Sequence, residues 1–176
     1  ESRAHQTWQL IGNQIPLART HVPNVSGKLI GDKTEGTDPA ADAYQRFEKL
    51  GSLNLPESTD SWDGYSAARE DFYQTSRGAG VSDLLVLTGD THSFWANKLS
   101  DNAGNSMGVE LGTCGITSPA SFQKYGSKIA TVLDQLFAEN NSEIIWTNGQ
   151  HRGFIKLILR QDAVKADYVA VDRIDS

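Results

Sequence analysis

Residues 84–95 read Leu-Leu-Val-Leu-Thr-Gly-Asp-Thr-His-Ser-Phe-Trp, an apolar run that ends in a glycine, a carboxylate and an imidazole. Four consecutive apolar residues, Leu84 to Leu87, suit an interior strand packed on both faces. Gly89 then lets the backbone turn or approach another group closely. Asp90 and His92 are two apart, so in an extended backbone their side chains leave on the same side. The carboxyl end of an interior strand is where open α/β sheets place ligands and metals.

Working outward, residues 7–15 read as a strand that Pro16 ends. Residues 16–38, rich in Gly, Pro, Thr and Asp, show no period and read as a long loop excursion. Asp38-Pro39 offers an N-cap followed by Pro at the first helical position, and Ala43, Phe47 and Leu50 give a helical stripe that Gly51 can end. Ser66 can cap a second helix running to about Arg77. Strands follow at 94–99 and 108–112, with a turn at 101–105 between them. Ser118-Pro119 reads as the start of a third helical region, carrying Ile129, Val132, Leu133, Leu136 and Phe137 at helical spacing. The chain closes in a hairpin series with strands at 143–147, 153–159 and 166–171. Helices alternating with strands, then an antiparallel end, predict a mixed α/β sheet. The first strand lies so near residue 1 that its partners are expected upstream.

The 176 residues suffice for one domain with a real core. Net charge is 16 − 22 = −6 with no basic run, which argues against nucleic acid as the partner. The single cysteine, Cys114, excludes an internal disulfide and a cysteine-built zinc site. No stretch approaches the ~18–20 apolar residues of a membrane span. The chain opens Glu-Ser-Arg without Met and reads as part of a longer product.

Asp90 and His92 supply a hard anionic oxygen and an imidazole, the donor types of a metal site, although a catalytic metal usually takes three or more protein ligands. The alternative is an Asp that caps the next turn and a His satisfied by a backbone carbonyl. Asn148, His151 and Arg152 fall in a turn between two strands. There an Arg can clamp a phosphate oxygen and a His can protonate a leaving oxygen; an exposed polar hairpin is the plainer account. Trp62-Asp63-Gly64-Tyr65 either lines a pocket, with Asp63 and Tyr65 facing substrate, or anchors a loop. Glu110, between Val109 and Leu111, points opposite to them and is expected to face water. Cys114 reads as a small buried thiol. Gly89-Asp90-Thr91 also resembles the Gly-Asp-Ser start of lipase-like esterases, with Thr91 in the place of the nucleophile and Asn148, not Asp, three residues before His151.

The ordered set Trp8-Gln9-Leu10-Ile11-Gly12-Asn13-Gln14, Trp62-Asp63-Gly64-Tyr65, Leu87-Thr88-Gly89-Asp90-Thr91-His92-Ser93, Val109-Glu110-Leu111, Ile116-Thr117-Ser118-Pro119 and His151-Arg152-Gly153-Phe154 resembles the PhoD-type alkaline phosphatases. The resemblance implies the C-terminal half of a calcineurin-like metallophosphoesterase domain over residues 1–176, two facing mixed sheets flanked by helices. It implies a phosphomonoesterase or phosphodiesterase that uses Ca2+ and Fe3+ and is periplasmic or secreted. Asp90 and His92 carry over as metal ligands. The Asn148–Arg152 turn and the Trp62–Tyr65 loop are placed near the pocket. Phe154 stands where Tyr is common in the family, and Cys114 matches no ligand of it. The family's earlier ligand motifs (an acidic residue or Cys, Gly-Asp-x-x-Tyr, and Asp-Asp-His-Glu…Asn) are missing, as is its N-terminal β-sandwich. The substrate partner implied is a phosphate ester. The structural partner is the N-terminal half of the domain, supplied upstream or as another chain. Without it the expectation is an inert piece, or a binding module that keeps the scaffold.

Overall fold

The computed structural model describes residues 7–28 and 39–171. Its elements in chain order are β1 (Leu10–Asn13), α1 (Pro39–Ser52), α2 (Ser66–Gly78), β2 (Leu84–Thr88), β3 (Phe94–Ser100), β4 (Ser106–Gly112), α3 (Ser127–Asn140), β5 (Ile144–Asn148), β6 (Arg152–Leu159) and β7 (Val164–Val171). Single 3-10 turns stand at Trp62–Tyr65 and Gln123–Tyr125. Five strands form one sheet in the order β1-β2-β4-β3-β5, and β6 pairs with β7 in a second. β1, β2 and β4 run parallel, while β3 is antiparallel to both β4 and β5. The architecture is the mixed α/β sheet that the sequence predicts.

β2 lies inside the sheet, between β1 and β4, which is why its residues are apolar without alternation. Leu84 and Val86 join a core with Leu17, Ala18, Tyr73 of α2, Leu99 and Met107. Leu85 and Leu87 share the opposite face with Val109 and Leu111 by register. The β6–β7 hairpin covers part of that side. The Tyr168 ring sits edge-on to Phe94 (centroids 5.5 Å apart) and to Trp146 (5.0 Å), and its hydroxyl donates to the Trp95 carbonyl at 2.6 Å. A second core gathers Phe47, Trp95, Phe122, Tyr125, Leu133, Leu136 and Phe137 where α1 and α3 meet the sheet.

The segment after β1 departs from expectation. Residues 16–25 have no helix or strand beyond an isolated bridge at His21, yet Leu17, Ala18, Thr20, Val22 and Val25 are all buried. This is an inner strap, not a surface excursion; residues 29–38, and with them the Asp38 cap, lie outside the described residues. A buried backbone must find partners for its N–H groups. Here side chains supply them in unbroken succession. The Leu17 and Ala18 N–H groups donate to the two oxygens of Glu110 at 2.7 and 3.1 Å. Arg19 N–H donates to Glu143, Thr20 to Asp63 and His21 to Asn141. Val22 N–H then donates to the Leu55 carbonyl.

Glu110 therefore does not face water. It has no solvent exposure and accepts a further hydrogen bond from Asn97 Nδ2 at 2.9 Å. The alternation in Val109-Glu110-Leu111 is real; the second face of the sheet is simply occupied by the strap. Three other boundaries differ. β1 finds its partner within the chain, in β2. α3 starts at Ser127 after Gly126, and Ser118-Pro119 opens an irregular loop instead. β5 returns to the first sheet beside β3, so the turn after it links two sheets and closes no hairpin.

Burial pushes the Glu110 carboxyl above the ordinary range, against the lowering effect of Leu17, Asn97 and Ala18. The folded state then holds this proton more tightly than the unfolded chain. Its contribution to stability is full below the unfolded pKa and is lost as pH rises through the folded one. Replacing Glu110 by Ala orphans three buried donors, each worth about 1–3 kcal/mol. Urea unfolding of E110A at neutral pH is expected to show a loss of about 3 kcal/mol or more. An unchanged midpoint would remove the strap from its central place.

Candidate functional site

The chain leaves β2 through Gly89 into a tight loop that ends at β3. The turn is not made by Gly89, which has no positive φ and whose absent Cβ would meet nothing within 4 Å. Asp90 and His92 make it, with φ of 59° and 54°. Asp and His are among the non-glycine residues that tolerate this left-handed region best. The premise of an extended backbone between them is thus wrong. Both side chains are exposed.

His92 Nδ1 lies 2.9 Å from the Pro119 carbonyl. A carbonyl can only accept, so Nδ1 carries a proton, and in the neutral ring it is Nε2 that has the lone pair. Sequence reasoning set a carbonyl-satisfied His against a metal ligand, yet the two are compatible. Ligating histidines usually donate their other ring N–H to such an oxygen. Thr91 Oγ1 donates to the Ser93 carbonyl and accepts from Trp95 Nε1. Ser93 is 1% exposed. A serine-type esterase needs an accessible hydroxyl bonded to a base, and neither hydroxyl meets that description.

The loop at 118–123 ties this turn to the other candidate segment. Ser121 N–H donates to the His92 carbonyl and Ser121 Oγ to the Thr91 carbonyl. One residue on, Phe122 N–H donates to the Gly149 carbonyl at 2.7 Å. Gln123 Oε1 accepts from Arg152 Nη2 at 3.1 Å. One short loop thus brackets the Asp90–His92 turn and the 148–152 turn together. Within the latter, Asn148 Oδ1 accepts from the backbone N–H groups of Gln150 and His151 and from His151 Nδ1. His151, exposed, therefore also presents Nε2 outward.

Asp134 of α3 supports the same turn from beneath. It is 8% exposed; Oδ1 accepts from Gly149 N–H at 2.8 Å and Oδ2 from Gln150 Nε2 at 3.1 Å. Burial raises its pKa to about 6, against the opposing effects of Gln150, Gly149 and His151. Sequence reasoning passed over Asp134 and Ser121. A signal existed for the first: Asp134 is four residues after Ala130 and three before Phe137, on the apolar stripe of α3.

Asp90 and Thr91 open onto a cavity of about 350 Å³, walled also by Arg46, Glu57, Asp60, Trp95, Ser121 and Phe122. Asp63 and Tyr65 are not among its lining residues, and neither are His92, Asn148, His151 and Arg152. Asp63 spends both oxygens internally, on Thr20 N–H and on the buried Arg69 at 2.9 Å. Tyr65 is 60% exposed on the outer surface. Trp62–Tyr65 is a structural latch. Cys114 is buried, with Sγ 3.4 Å from the His151 carbonyl, and burial pushes its thiol up, as an inert packing thiol requires.

Asp90 and His92 suit two positions in a coordination sphere: a hard oxygen and an imidazole with its second nitrogen fixed. They do not complete one. Among the described residues no group of three or more His, Cys, Asp or Glu side chains is placed to hold a metal ion. No helix among the described residues is long and apolar enough to cross a membrane.

A carboxylate and an oriented imidazole thus lie beyond the end of an interior parallel strand in a mixed two-sheet fold. The fold is shared with a solved structure described as "Structure of PhoD", at a TM-score of 0.65 and 22% identity over 96% of this chain and 27% of that one. Sequence comparison matches residues 1–168 to the PhoD-like phosphatases, and the chain belongs to that family. It is 32% identical over 115 residues to alkaline phosphatase D of Bacillus subtilis (strain 168), covering 63% of this chain and 19% of the relative. The chain thus spans about a fifth of the curated relative it matches.

The bracket rests on a close approach. A Cβ on Gly149 would lie 2.4 Å from Cδ2 of the Phe122 ring, which is 6% exposed and packed in the core. Gly149→Ala is therefore expected to lower stability by about 1–3 kcal/mol, read as a lower melting temperature. An unshifted melting curve would mean that the loop and turn are not held in register.

Proposed function

We propose that this chain is part of a metal-dependent phosphate-ester hydrolase, a phosphatase or phosphodiesterase of the PhoD-like type. The observation that carries the proposal is His92, whose Nδ1 is pinned by the Pro119 carbonyl while its ring is exposed, two residues from the exposed Asp90. In this reading Asp90 contributes an anionic oxygen and His92 its Nε2 as ligands, with Ca2+ and Fe3+ the ions suggested by family. Metal ions held there would lower the pKa of a water and bind phosphate oxygens.

The remaining roles belong to the turn at 148–152. Arg152 is fixed through one amino group by Gln123 and keeps its other N–H donors for a phosphate oxygen. His151, oriented by Asn148, is the candidate to protonate the leaving alcohol from Nε2. Asn148 orients His151 through Oδ1 and lies at the same turn as a candidate substrate contact. The ligands that would complete the metal site belong, in this proposal, to the other part of a PhoD-like domain, in the same protein or a separate chain. Periplasmic or secreted placement follows as a further proposal from the family.

The alternative is a non-catalytic piece that keeps the scaffold. It is favoured by the lack of a three-ligand group among the described residues. Two measurements separate the readings. In the full-length protein, Asp90→Ala and His92→Ala are each expected to reduce metal-dependent hydrolysis of an aryl phosphate more than about 100-fold, beyond the 10–100-fold that outer-shell changes cause. Retained activity would overturn the ligand assignment. For residues 1–176 alone, elemental analysis is expected to find no tightly bound transition metal and assays no turnover. A stoichiometric ion in that piece would overturn the incomplete site.

A further inference from the structure

We propose that Asp134 is a positioning residue that fixes the turn carrying His151 and Arg152. This rests on the phosphoesterase reading for its catalytic consequence, but not for its structural one. Asp134 is the buried acceptor beneath the turn. It takes the Gly149 N–H with one oxygen and the Gln150 side-chain N–H with the other. Gln150 is steadied further by Thr131 Oγ1, one turn earlier on α3, at 3.2 Å. The next peptide is held too, since the Gly149 carbonyl accepts from Phe122 N–H. The two peptides flanking the Gly149 Cα are thereby gripped from α3 and from the 118–123 loop at once. Both candidate catalytic side chains leave the chain within three residues of it.

The geometry makes the grip sensitive to a proton. Ionised, the carboxylate accepts two N–H bonds. Protonated, it has one fewer acceptor site, and the bond it accepts at that oxygen is weakened or must be rearranged. The midpoint of about 6 places this change in a mildly acidic range. His151, on the turn, is the titratable group whose charge acts on it. The neighbouring cavity of about 320 Å³ is lined by Thr131, Gln135, Trp146, Thr147, Asn148 and Gln150, with Ala138 and Ile145, none of which titrates near neutral pH. The raised value means that the folded state binds this proton more tightly. Stability from this group thus falls as pH rises toward 6, while the turn becomes better held. Order at the turn and the contribution of Asp134 to stability move in opposite directions across that window.

The test uses the full-length protein loaded with metal, with Asp134→Asn as the uncharged mimic and Asp134→Ala as the deletion. With an aryl phosphate, D134N is expected to lose about 10–100-fold in kcat/KM, as misplaced catalytic groups do. Its metal content should be unchanged, and the acidic limb of its pH profile, near 6 in the wild type, should be gone. The structural readout is hydrogen exchange at the Gly149 amide. It should slow in the wild type as pH rises through 6, after correction for the intrinsic pH dependence of exchange, and be faster in both variants. Unchanged Gly149 exchange in D134N and D134A overturns the proposal whatever the kinetics. Altered exchange with wild-type kcat/KM and pH profile overturns the catalytic consequence. If wild-type protein hydrolyses no phosphate ester, the phosphoesterase reading has failed, and Gly149 exchange alone decides whether Asp134 sets the turn.

Discussion

The fold depends on satisfying a run of backbone N–H groups that no strand can reach. Residues 17–21 cross the inner face of the sheet, and each N–H there finds a side-chain oxygen: Glu110 twice, then Glu143, Asp63 and Asn141. The four acceptors come from β4, from the residues just before β5, from the 3-10 turn ahead of α2, and from the end of α3. Pinning the strap therefore pins those elements to one another. The apolar contacts of Leu17 and Ala18 with Tyr73, Leu84 and Val86 follow from that placement. Their burial supplies much of the free energy, and the carboxylates decide where it is collected.

The candidate site is assembled by a comparable economy of contacts. The residues with chemical potential come from two segments nearly 60 positions apart, and neither segment contacts the other in the hydrogen bonds described. The β3–β5 pairing sets Phe94 opposite Asn148, and the loop ahead of α3 ties the two segments from the side. Ser121 grips carbonyls on one side, and Phe122 and Gln123 grip the other. Buried Phe122 then roots that loop in the aromatic cluster with Phe47 and Phe137. Core packing and site geometry are thus one system, which is why a methyl group on Gly149 would be felt in both.

Local patterns in the sequence were enough for β2, α2 and the β6–β7 hairpin, because each carries its own period and its own terminators. They also singled out Asp90 and His92 as candidates, a polar pair directly after an unbroken apolar strand. Several features lay beyond local pattern. Glu110 alternates like an outward residue, and only the strap, laid over it from 93 positions away in sequence, makes it interior. Ser118-Pro119 has the form of a helix cap, but the following residues serve the bracket, and the helix waits for Gly126. Asp63 shares a motif with aromatic neighbours and so suggested a pocket. Its real partners, Thr20 and Arg69, are visible only in three dimensions.

The left-handed backbone at Asp90 and His92 sets a local trade. Non-glycine residues held there cost about 1–3 kcal/mol each at the unfavourable end of the range, and glycine would relieve that cost. A chain selected only for durability would drift toward glycine at both positions. That two candidate site side chains sit where the backbone favours glycine marks the loop as a point where the protein forgoes stability it has chemically available. Thermostabilised variants of this scaffold should then be screened for silent erosion at these two residues first.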